Sequence, residues 1–171
     1  MKSPARSNKK RPATPAFFST DVAQARRFYL DLNPSGERPL AVVCGGLEHC
    51  TTDYVIHRNT FPFFSIEYVA QGRGEVRLKD RTYPLQPGRL FAYGPGVPHH
   101  ITGEAGHRLV KYFVDFTGTN ARALLHTCGL SPGRVSNVFP ANALQPLFDE
   151  LIRAGLLVRR GKAELCVKML E

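Results

Sequence analysis

Two histidines stand side by side at the end of GRLFAYGPGVPHH, residues Gly88 to His100, directly after a Pro-Gly-x-Pro corner. An imidazole so placed can ligate a metal, act as a base or read a ligand, and it can also simply bond the turn that carries it. The remaining groups able to do chemistry are scattered: Cys44, His49, Cys50 and His57, then Glu67, then Lys111 and Asp115. Cys44, His49, Cys50 and His57 can be drawn as a zinc set, but strand alternation divides them between two faces, and the four cysteines (Cys44, Cys50, Cys128, Cys166) contain no CxxC pair. No Ser-His-Asp or Cys-His nucleophile arrangement is legible. The residues therefore favour binding over catalysis, with reduced, buried thiols in a cytoplasmic protein.

The chain has 171 residues, 43% of them hydrophobic, enough for one globular domain with a real core. No apolar run approaches the length of about 18 residues that a membrane-spanning helix needs, so no membrane partner is expected. The start, MKSPARSNKKRPATPAFF, is basic and proline-containing, with no apolar region of the signal-peptide kind. It reads as a flexible arm over residues 1–18. Lys2, Arg6, Lys9, Lys10 and Arg11 lie in it and carry five of the nine excess positive charges. A net charge of +9 favours polyanions. No compact basic stripe interleaved with aromatics follows the arm, so the chain by itself lacks a nucleic-acid-binding element.

Three blocks follow. Ser19 to Leu32 opens with Ser-Thr-Asp capping candidates and stops before Asn33-Pro34-Ser35-Gly36, which predicts a short helix. From about Leu40 to Phe116 eight short runs (LAVVC, DYVIHR, FFSIEYVA, GEVRLK, RTYPL, RLFAY, HHIT and LVKYFVDF) alternate with turn signals. Such spacing predicts an antiparallel sandwich or barrel. From Ala121 onward the pattern turns helical. Leu144, Leu147, Phe148, Leu151 and Ile152 make one continuous apolar face, and Pro146 falls in the first turn, where its missing N–H costs little. A last helix, AELCVKMLE, reaches Glu171 with no Gly or Pro stop, as though more chain normally follows.

The run from Tyr68 to His100 joins three motifs: G-x-G at Gly72 and Gly74, L-x-P-G at Leu85 to Gly88, and P-G-x-P-H at Pro95 to His99. It resembles the cupin barrel, and in particular the N-terminal, arabinose-binding type of sensor and dimerisation domain of AraC-type transcription regulators. The resemblance needs no gap from Phe64 to His100, continues through LVKYFVDFTG (Leu109 to Gly118) and enters the Leu144–Ile152 helix. It implies a mainly β fold: a cupin-type double-stranded β-helix (jelly-roll) barrel over residues 19–118 with an N-terminal helix, then C-terminal α-helices over 119–171 for dimerisation and linkage. The family's DNA-reading helix-turn-helix units are absent by residue 171.

Metal-dependent cupins resemble an H-x-H, Glu, Gly arrangement in their first motif, with a fourth His in the second. With the glycine placed on Gly72, Ser65 stands at the glutamate position and Arg58 and Thr60 at the paired histidines, while His57 is one residue out of phase. Only His99 remains. One histidine does not hold a divalent ion, so neither a metal, another cofactor nor a catalytic residue is expected.

What remains is a barrel that binds a small molecule. Phe63, Ser65, Glu67, Val69 and Gln71 share one strand face, which Ser65 marks as inner; Leu109, Lys111, Phe113 and Asp115 share another. The family's sugar sensor uses inward positions matching Lys111 and Phe113, and its guanidinium position matches Gln71. Expected ligand contacts are thus Glu67, Gln71, His99, Lys111 and Phe113, to a small polar effector such as a sugar or related metabolite. The family's aromatics are replaced, with Ile101 after the histidine pair and Phe113 on the last strand, so the sugar class itself does not transfer. In the bland alternative Glu67 and Lys111 are a structural ion pair and His99 bonds the corner backbone. The implied partners are the effector, a second copy through Leu144, Leu147, Phe148, Leu151 and Ile152, and DNA through the missing units. A stand-alone cupin enzyme built on His57, His99 and Glu67, or a small-molecule carrier, is the rival.

Overall fold

The computed structural model describes residues 17–35 and 37–171, so the expected arm lies outside the described residues except for Phe17 and Phe18. Those two are seated in the barrel mouth, packed against Phe61, Phe63, Tyr29 and Phe113. The strands run β1 (Val22–Tyr29), β2 (Ala41–Cys50), β3 (Val55–Arg58), β4 (Phe64–Gln71), β5 (Gly74–Leu78), β6 (Arg81–Leu85), β7 (Arg89–Tyr93), β8 (His99–Gly103) and β9 (Val110–Thr117). Then come α1 (Ala121–Thr127), β10 (Val135–Asn137), α2 (Gln145–Leu156) and α3 (Lys162–Leu170). A six-stranded sheet in the order β1-β2-β9-β4-β7-β10 faces a four-stranded one, β3-β8-β5-β6. The pairing is antiparallel throughout. This is the antiparallel barrel that the turn spacing predicts, in the cupin-type jelly-roll form that the resemblance implies, followed by helices.

Two expectations are corrected. Ser19 to Leu32 is not a helix, because Val22–Tyr29 forms strand β1 along β2. A helix that short is marginal without a packed face, whereas the edge of β2 offers a full ladder of backbone partners. The strand's alternation has a consequence for the site: Arg26 and Phe28 point outward toward α2, and Arg27 and Tyr29 point inward. The region after Ala121 is also not wholly helical, since Val135–Asn137 adds a short strand to β7.

The core lies in two layers. Inside the barrel Tyr54, Ile56, Val69, Val76, Leu78, Phe91 and Ile101 close the space between the sheets. Outside, α2 and α3 lie on the six-stranded sheet, where Phe28, Val42, Tyr68, Tyr112 and Val114 meet Phe148, Leu151 and Ile152. The Phe148 ring stacks 5.9 Å from Tyr68 and 5.3 Å from Tyr112. Three of the five residues read as a dimer face are therefore buried against their own barrel, each burial stabilising by roughly 1.5–3 kcal/mol. Leu147 stays 64% exposed, and Leu144 is half-buried at the rim.

Gly72 shows why the turn after β4 needs glycine. Its φ is +86°, and a Cβ there would collide with the Arg108 carbonyl. Gly72→Ala is expected to cost roughly 1–3 kcal/mol, read as a lower midpoint in chemical denaturation.

Candidate functional site

The barrel's inward face carries a line of alternating charges. Lys111 on β9 is at its centre, 3.0 Å from Glu48 Oε2 on β2 and 2.9 Å from Glu67 Oε2 on β4. Arg27 on β1 continues the line, with Nη2 at 2.8 Å and Nε at 2.9 Å from Glu48 Oε1. At the other end the Tyr93 hydroxyl donates to Glu67 Oε1 over 2.6 Å. The side chains of Lys111, Glu48 and Glu67 are each only 4% exposed. Charges taken so far out of water persist only when matched, and here two cations face two carboxylates.

The titration behaviour follows. Burial alone would push the Lys111 ammonium down, but Glu48 and Glu67 outweigh it and hold it well above its ordinary value. Burial likewise opposes the Glu48 carboxylate, yet Lys111 and Arg27 hold it below the usual carboxylate range. Asp115, two pleats along β9 from Lys111, has no cation within ion-pair distance among the described residues. Burial drives it from its ordinary 3.8 up to about 7, only partly offset by Ser65 and Cys44, whose Sγ donates to Asp115 Oδ2 over 3.3 Å.

Above the charges is a cavity of about 20 Å³, bounded by Glu48, Glu67, Lys111, Arg58, Asp115, Tyr54 and Tyr93 below and by Phe17 and Phe18 above. That volume suits a single water molecule. The cap is well fitted. Phe17 lies edge-on to Phe61 at 6.1 Å and to Phe63 at 5.8 Å. Phe18 meets Tyr29 at 5.6 Å and Phe113 at 5.7 Å, with the Arg27 guanidinium 4.6 Å over its ring. Arg58, at the end of β3, donates from Nη2 to the Phe17 carbonyl.

Of the expected contacts, Glu67, Lys111 and Phe113 border this cavity. Gln71 does not: it is exposed, and its expected inward orientation is corrected. The β4–β9 register slips between Val69 and Gln71, so the extra residue at Ala70 turns Gln71 to the other face. His99 is buried but stands behind Tyr93, its ring stacked at 3.8 Å, with Nδ1 3.3 Å from the Val97 carbonyl. Burial pushes its pKa down to about 4, so the imidazole is neutral. His100 turns away toward His57, 3.4 Å between their Nδ1 atoms.

Sequence reasoning missed Glu48, Arg27 and Tyr93, and saw Arg58 only as a lost metal-ligand position. One signal was available: in GGLEHC a glutamate sits in a run otherwise fit for burial, and such a carboxylate needs a cation. A divalent ion does not fit this donor set. Arg58 and Lys111 border the cavity and repel a cation, and the carboxylates of Glu48 and Glu67 are already engaged by Lys111, with Arg27 also on Glu48. Among the described residues no group of three or more His, Cys, Asp or Glu could hold one.

Two tests follow from the charge line. Lys111→Met leaves Glu48 and Glu67 facing one another, and is expected to cost about 3–5 kcal/mol at neutral pH, with part of the loss recovered on acidification because protonation removes the repulsion. Asp115→Asn probes the opposite sign. The folded state holds the Asp115 proton up to about 7 while the unfolded state releases it near 3.8, so native stability falls as pH rises through that window. The variant lacks this decline, and its melting temperature is expected to exceed the native one increasingly from pH 4 to pH 8.

Comparison with known proteins places this geometry. A family model described as the AraC-like ligand binding domain matches residues 42–164. Among solved structures, the chain is similar to the plu4264 protein of Photorhabdus luminescens (17% identity, TM-score 0.44, covering 64% of this chain and 86% of that one). It is also similar to a Cupin 2 conserved barrel domain protein of Salinispora arenicola (16%, 0.43, covering 61% and 83%). A third, YhaK of Escherichia coli, is 13% identical with a TM-score of 0.46, covering 66% and 48%. No curated protein matches the sequence. With most of its length inside the family model, the chain belongs to the AraC-like ligand-binding domains.

Proposed function

We propose that this chain is the effector-sensing and dimerisation part of an AraC-type transcription regulator, working in the cytoplasm, with DNA read by helix-turn-helix units outside it. The barrel binds its ligand without transforming it. The observation that carries this reading is the matched charge line lying under a two-residue cap. Glu48, Lys111, Glu67 and Tyr93 supply oriented donors and acceptors at the floor, and the cap is held by ring contacts and one Arg58 hydrogen bond. A ligand larger than water must lift that cap, so occupancy and the position of the N-terminal segment are linked. The effector contacts proposed are Glu67, Lys111 and Phe113, joined by Glu48, Tyr93 and Arg58; His99 backs Tyr93.

The second half of the function rests on the helices. Leu147 and half-buried Leu144 rim an apolar groove of about 200 Å³ with Met169 and Leu170, which suits a second copy of the chain. Strand β1 joins this layer to the site, because Arg26 reaches Asp149 on α2 at 2.6 Å while its neighbour Arg27 holds Glu48. Two measurements on the purified chain test the proposal. Thermal shift against a metabolite library should find a ligand whose stabilisation of the fold grows with the logarithm of its concentration, reaching about 2.7 kcal/mol at a hundredfold excess over Kd. Sedimentation velocity should give a dimer that Leu147→Glu converts to monomer. A monomeric native chain with a stoichiometric transition metal would instead support a free-standing enzyme.

A further inference from the structure

The residues that fill the barrel mouth describe what should replace them. Phe17 presents a phenyl ring to a slot walled by Phe61 and Phe63, and a carbonyl oxygen to Arg58. The two phenyl rings that wall the slot offer no hydrogen-bonding atom, so a ring suits it better than a hydroxyl does. Among the described residues, Arg58 is a cation bordering the cavity that no carboxylate pairs. Glu48 is held by Arg27 and Lys111, and Glu67 by Lys111 and Tyr93. Among the described residues no carboxylate lies within ion-pair distance of Arg58. Its guanidinium rests 5.1 Å from the Phe61 ring centroid and donates to a neutral carbonyl, a weaker partner than an anion.

Resting on the reading of the barrel as an effector site, we propose that the effector is a small aryl carboxylate that displaces Phe17, its ring entering the Phe61–Phe63 slot and its carboxylate taking Arg58. The acidic groups facing that position are Glu67 on β4 and Asp115 on β9. Lys111 and Tyr93 already engage Glu67, and burial holds Asp115 toward its neutral form. Where Asp115 is protonated, the incoming anion meets one excess positive charge, Arg27, Arg58 and Lys111 against Glu48 and Glu67. The neutral Phe17 carbonyl holds the same place until it arrives.

Titration calorimetry on the full chain tests this with benzoate and phenylacetate as probes, acetate and benzyl alcohol as the carboxylate and the ring alone, and arabinose as a polyhydroxyl comparator. At least one aryl acid should bind saturably, with acetate and benzyl alcohol each weaker by about tenfold or more, as expected when a charge-assisted bond or the ring contact is lost. Phe17→Ala should tighten aryl-acid binding, since the ring that competes for the Phe61–Phe63 slot is gone while the backbone carbonyl remains. Arg58→Gln should weaken it by about tenfold while leaving benzyl alcohol unchanged, and Arg58→Lys, which keeps the charge, should fall between. Wild-type affinity in a folded Arg58→Gln or Arg58→Lys protein would overturn the proposal. Saturable arabinose binding without aryl-acid binding would overturn the ligand class and leave the effector site standing. If a folded Phe17→Ala protein bound no probe at all, both would fall.

Discussion

A lysine ammonium buried in a β-barrel is tolerated only if anions meet it there, and this requirement organises the molecule around Lys111. Its two carboxylates come from different strands, Glu48 on β2 and Glu67 on β4, which flank β9 in the six-stranded sheet. The register that brings them together is the register of the sheet itself, with Glu48 opposite Lys111 and Val69 opposite it on the other side. A one-residue slip in either pairing would turn a carboxylate outward and leave the ammonium unmatched. The charge line and the strand register thus specify each other.

The same line explains why β1 is a strand. Glu48 has a second oxygen to satisfy, and Arg27 supplies both Nη2 and Nε to it from the edge of the sheet. Two-residue periodicity then sends Arg26 and Phe28 the other way, into the layer formed with α2, where Arg26 meets Asp149 and Phe28 packs in the outer core. One edge strand therefore touches the floor of the barrel with one face and the helices with the other. The cavity floor and the helical layer thus meet opposite faces of a single strand.

Closure of the mouth has a different physical basis. Phe17 and Phe18 are held by aromatic edges and by guanidinium contacts, each worth about 0.5–1.5 kcal/mol in general. Such a cap shields the charge line from water, which strengthens the interactions beneath it. The floor is held by buried ion pairs and the cap by ring and guanidinium contacts.

Much of this was legible in the sequence. Turn residues at Gly72, Pro87 and Pro95 and the alternation of FFSIEYVA and LVKYFVDF determined an antiparallel β-barrel or sandwich and the shared face of Lys111 and Phe113, because turn chemistry and strand period are local properties of the chain; the jelly roll and the inner placement of Glu67 came with the family resemblance. The helix with Leu144 to Ile152 was likewise readable from its 3.6-residue period. Tertiary structure alone decided the rest. The bulge at Ala70 carried Gln71 out of the barrel, the open edge of β2 made a strand of Val22–Tyr29, and the outer sheet claimed Phe148, Leu151 and Ile152 for its own cover. Glu48 and Arg27 became partners across a pairing of β1 with β2, and Phe17 found its slot between residues of other segments. Each of these outcomes depends on which strand lies beside which, a fact that no window of the sequence contains.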